Sequence, residues 1–62
     1  MKLIKINVVL SEPEALALAQ FIKRTGFTDY REKAVSETEA YVMQNAGEMV
    51  GRALAELGIK PR

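Results

Sequence analysis

The sequence predicts a mainly α-helical chain with one N-terminal β-strand, in the order strand, helix, short helix and long helix, completed by dimerisation. Three observations carry that reading. Residues 3–10 are rich in β-branched types, and from Ile4 onward the pattern has a period of two. Two Ser-x-x-Glu boxes, Ser11 to Glu14 and Ser36 to Glu39, each stand before a run with helical apolar spacing. The chain has 62 residues with no cysteine and no histidine, so disulfides and the usual metal sites cannot make up for a small core, which leaves association.

The alternation places Ile4, Ile6, Val8 and Leu10 on one strand face and Lys5, Asn7 and Val9 on the other. The strand is expected to stop at Ser11-Glu12-Pro13-Glu14. There Ser11 can cap a helix, Glu14 can reach back to it, and Pro13 sits in the first turn, where no donor is needed. Leu10 against Ala15 would form a hydrophobic staple. The first helix runs to about Arg24, with Ala15, Leu18, Phe21 and Ile22 on one face and Lys23 and Arg24 at its negative end. Gly26 followed by Phe27 reads as a left-handed helix stop with an apolar contact behind it. Residues 28–35 begin with capping types and allow two readings, a short second helix or the first turns of a longer one.

From Ser36 the long helix carries an apolar stripe of Val42, Met43, Ala46, Met49, Val50, Ala53, Leu54 and Leu57. Gly58-Ile59 repeats the glycine-plus-apolar ending, and Pro61 prevents continuation. Residues 1–59 are thus expected to form one small domain, with 60–62 a frayed tail.

Composition narrows the function. Without Cys or His the commonest nucleophile, general base and soft metal ligands are missing, so the expectation is a protein that is not an enzyme and takes no cofactor, metal or small-molecule substrate. Nine Lys and Arg against eight Asp and Glu give a net charge of +1, too small to point to nucleic acid or membrane by itself. No long apolar run and no signal-peptide pattern follow Met1, so the expected location is cytoplasmic.

Three groups of residues can carry a binding role. On the strand's outer face Lys5 and Asn7 could reach base edges from a two-stranded ribbon, and the same row is also an ordinary solvated edge. The basic residues Lys23, Arg24, Arg31 and Lys33 bracket the turn at Gly26 and could meet phosphate or an acidic protein patch, with Asp29 and Glu32 interleaved as local partners. Gly47, Gly51 and Ala55 recur every four residues as a strip of small side chains. Each helical Gly costs about 1 kcal/mol relative to Ala, which calls for a compensating close approach. That strip, with Ile4, Ile6 and Val8, is the expected dimer interface.

Lys5 to Glu12, followed by a helix ending at Gly26-Phe27-Thr28, resembles the first half of the ribbon-helix-helix repressors, the Arc-like and antitoxin-like DNA-binding dimers. The resemblance implies that Lys5, Asn7 and Val9 read the major groove and that Thr28 begins a phosphate-gripping helix. The whole chain, notably residues 17–24, 29–31, 39–41 and 53–62, is also similar to a family of short uncharacterised proteins from proteobacteria and their prophages. Two functions follow as expectations: a small dimeric DNA-binding regulator, or a non-catalytic inhibitor or adaptor that binds a protein, such as one acting on a host defence system.

Overall fold

The two serine boxes set where helices begin. A computed structural model, which describes residues 1–61, has α1 at Glu12–Arg24, α2 at Phe27–Lys33 and α3 at Glu37–Glu56. At the start of α1 the Ser11 hydroxyl accepts from Glu14 N–H at 3.2 Å and the Glu14 carboxylate accepts from Ser11 N–H at 2.9 Å. Both halves of the box are made, so two orphan amides are satisfied. At α3 the Ser36 hydroxyl accepts from Glu39 N–H at 3.1 Å, but the Glu39 carboxylate reaches one residue further back, to Val35 N–H at 2.8 Å.

The end of α1 differs from the expected glycine stop. Thr25 caps it: its N–H and its hydroxyl both donate to the Phe21 carbonyl, at 3.0 and 2.6 Å. Gly26 is extended, with φ −98° and ψ 176°, and serves as the N-cap residue of α2. The Asp29 carboxylate takes its N–H at 2.8 Å and so directs the chain straight into the next helix. Residues 28–33 therefore belong to a separate short helix that starts at Phe27, and Ala34, extended at φ −89° and ψ 150°, breaks it from α3. The C-terminal stop matches expectation. Gly58 has φ +84°, Ile59 N–H donates to the Leu54 carbonyl at 2.9 Å and Gly58 N–H to that of Ala55 at 3.0 Å, the two bonds of a Schellman motif. Lys60 and Pro61 have no regular structure, and Arg62 of the expected tail lies outside the described residues.

The N-terminal strand is corrected. Residues 1–10 have no regular secondary structure, and the described chain is all-helical. A strand is defined by ladder bonds to a neighbour, and the rest of this chain, given over to helices, supplies no extended partner. Nor does the alternation separate a buried from an exposed face: Ile4, Ile6 and Val8 are 81%, 77% and 70% exposed, and Lys5, Asn7 and Val9 are exposed too.

Among the described residues α1 and α2 each pack on α3 and not on one another. The core is correspondingly thin. Ala15, Ala19 and Leu54 form its buried cluster, with Leu18, Ile22 and Ile59 half-buried against it, and Ala40 is buried separately. The glycine strip turns inward. A Cβ on Gly51 would lie 3.3 Å from Ile22 Cγ2, and one on Gly47 would run into the Tyr30 hydroxyl and lie 3.3 Å from Tyr30 Cζ. The lost propensity is thus offset by close seating of α1 and α2. Phe27 on Tyr41, ring centroids 4.6 Å apart and tilted by 34°, adds a second tie between α2 and α3.

With that strip inward, much of the apolar stripe turns outward. Val42, Ala46, Met49, Val50, Ala53 and Leu57 are exposed, whereas Met43 is half-buried and Leu54 buried.

Candidate functional site

Two short helices laid on a third, with no close backbone approach between them, leave a groove. Its volume is about 640 Å³; Ala17, Phe21 and Arg24 line it from α1, and Asp29, Tyr30 and Lys33 from α2. The i, i+4, i+7 spacing of Ala17, Phe21 and Arg24 puts them on one face, and Tyr30 and Lys33 share another at i, i+3. Phe21 is 61% exposed, an unusual placement for its ring. The Asp29 carboxylate is already engaged by Gly26 N–H. That bond does not remove its charge, so the groove carries two cations and one anion beside two aromatic rings.

Of the four basic residues singled out from sequence, the fold brings Arg24 and Lys33 to this groove. Lys23 and Arg31 are exposed outside it, and the Arg31 guanidinium donates to the Ala34 carbonyl at 3.4 Å, at the end of α2. Sequence reasoning missed Phe21 and Tyr30 as companions of these cations. The signal was present as Phe21 with Arg24 and Tyr30 with Lys33, both three residues apart, but Phe21 also shares the apolar face of Ala15, Leu18 and Ile22.

The remaining candidate residues are dispersed. Lys5, Asn7 and Val9 are exposed on the irregular N-terminal segment. Thr28 is exposed in the first turn of the seven-residue α2, next to Asp29, whose negative charge disfavours a phosphate there. Gly47 and Gly51 meet Tyr30 and Ile22 of their own chain, and Ala55 is half-buried. A second cleft, of about 490 Å³, lies between the N-terminal segment and the end of α3, lined by Val8, Leu10, Ala15, Leu54, Leu57 and Ile59. Leu10 and Ala15 both line it.

Among the ionisable groups Glu14 has its carboxyl held below the usual range, first by the backbone N–H of Ser11 and then by the Ser11 hydroxyl. This is helix capping at the rim of the second cleft, which Ser11 lines, and it lies away from the α1–α2 groove. Among the described residues no three Asp or Glu side chains come together in a metal-binding group, and no helix is long and apolar enough to cross a membrane.

Residues 1–62 match the model of a family described as "Family of unknown function (DUF7706)". No curated protein and no solved structure matches the chain.

Proposed function

This chain belongs to the DUF7706 family, and we propose that it is a non-catalytic protein-binding module, an inhibitor or adaptor that takes an acidic, partly apolar segment of a partner into the α1–α2 groove. One observation carries the reading: Phe21 and Tyr30 stand beside Arg24 and Lys33 in an open groove where the two cations outnumber the single carboxylate, Asp29. Aromatic anchors flanked by cations are the side chains that dominate protein interfaces, and long-range attraction to an acidic partner speeds encounter. The likeness of residues 17–24 and 53–62 to short proteobacterial and prophage proteins supports a partner in the host cell.

The DNA-binding reading draws its support from the exposed Lys5 and Asn7, but no ribbon presents them to a groove. It ranks second. The test is a titration, followed by amide NMR, with an amphipathic peptide rich in Glu and Leu and with a Lys-rich counterpart. Shifts should centre on Phe21, Arg24, Tyr30 and Lys33 with the acidic peptide, and Arg24→Glu with Lys33→Glu should weaken binding at least about tenfold, one buried charge contact each being of that order. Equal binding of both peptides, or none, would count against it. Site-specific duplex binding that is lost in Lys5→Ala with Asn7→Ala would favour the DNA reading instead.

A further inference from the structure

We infer that α2 docks and undocks as a unit, and that Tyr30, seated against Gly47, is the residue that positions it as one wall of the α1–α2 groove. Among the described residues the core cluster is built by α1, α3 and Ile59: Ala15 and Ala19 pack with Leu54, and α2 adds nothing to it. No residue of α2 is buried. Its chain neighbours are extended at both ends, Thr25 at ψ 112° and Gly26 at ψ 176° before it and Ala34 at ψ 150° after it. Element ends of this kind absorb the backbone rotation when a helix moves as a body. The polar bonds at its ends stay within the segment: the Asp29 carboxylate accepts from Gly26 N–H at 2.8 Å and the Arg31 guanidinium donates to the Ala34 carbonyl at 3.4 Å. They travel with the helix.

Two aromatic contacts seat α2 on α3. Phe27 lies on Tyr41, which is 56% exposed, so that contact is at the surface and gains little from burial. The other is more exacting. Tyr30 is half-buried, its hydroxyl lies so close over Gly47 that a Cβ there would run into it, and the residue also lines the groove. One side chain therefore holds α2 in place and forms part of the partner surface. When Tyr30 leaves Gly47, Asp29 and Lys33 leave with it, and the groove loses a wall. A segment with no buried apolar side chain opens at a lower free energy than the core. A partner packed on Tyr30 would draw α2 toward the docked state by its differential affinity for that state.

The link to a partner rests on the protein-binding reading; the docking itself does not. Hydrogen exchange of the full chain, followed by amide NMR, tests both. In the free protein the amides of residues 31–34 should be protected at least about tenfold less than those of Ala19 and Leu54. Gly47→Ala, whose methyl meets the Tyr30 hydroxyl, should lower the protection of α2 by about a further fivefold without lowering that of Ala19 and Leu54, and Tyr30→Phe in the same chain should restore it. Saturation with the peptide rich in Glu and Leu should raise the protection of α2 toward that of the core. Residues 31–34 exchanging at the rate of Ala19 and Leu54, a Gly47→Ala variant whose α2 protection is unchanged, or a peptide that binds without raising it would overturn the inference. If neither peptide binds, the protein-binding reading falls, while exchange in the free chain still decides whether α2 docks as a unit.

Discussion

The Gly47–Tyr30 contact shows what a small residue does in this chain. Ala at position 47 would gain helix propensity, about 1 kcal/mol, but its methyl would meet the Tyr30 hydroxyl. Gly47→Ala should therefore gain little or lose stability with Tyr30 in place, and should stabilise by up to about 1 kcal/mol once Tyr30→Phe has removed the hydroxyl. A double-mutant cycle by urea unfolding checks this; equal effects of Gly47→Ala in both backgrounds would contradict it. Gly51→Leu, which must displace Ile22, should cost about 1–3 kcal/mol despite better propensity. The need for a close approach at Gly47 and Gly51 was legible from their four-residue spacing. Which surface approached was not, because spacing fixes a face of a helix and says nothing of whether a neighbour or a copy covers it.

Glu14 extends the residue scale to pH. Its carboxyl is depressed in the folded chain by the Ser11 amide and hydroxyl, so its stabilising effect is full above the ordinary carboxylate range and is lost as pH falls through its lowered value. Acid unfolding of the wild type should thus be steeper in that window than that of Glu14→Gln, monitored by helical circular dichroism. Identical acid profiles would show that the box contributes nothing.

At the scale of elements, helix starts were easy to read and the strand was not. Ser11, Ser36 and Gly58 act through bonds to residues three to five positions away, so local sequence contains the whole interaction. Replacing Ser36 by Ala should cost about 1 kcal/mol, as lost N-caps do, measured by thermal unfolding. A strand differs in kind. Its bonds go to another segment, and the alternation from Ile4 to Leu10 expresses a preference that the chain's own helices cannot satisfy. The turn at Gly26 was misread although its bonds are local: Thr25 and Asp29 both supply side-chain bonds there, and together they replace the left-handed stop that glycine usually provides.

The whole molecule follows from how the long helix distributes its faces. One face of α3 takes α1 and α2 through glycines and Leu54, and a second, from Val42 to Leu57, is left to water in the single chain. Sequence periodicity found the second stripe but not what covers it, since an apolar row reads the same whether the chain or a partner covers it. The groove between α1 and α2 was less legible still, because it arises from the lack of a close backbone approach between two helices, which no local pattern encodes. A buried cluster of only Ala15, Ala19 and Leu54 beside an exposed apolar face makes one demand on energetics: the chain should gain stability by association. The most direct test is thermal unfolding across a hundredfold range of chain concentration. Mass action at that dilution amounts to about 2.7 kcal/mol, and with the unfolding entropy of a domain the size of the pair this predicts a midpoint that falls by about 10 °C from the highest concentration to the lowest. A midpoint that does not move would mean the single chain is stable by itself and would contradict the account.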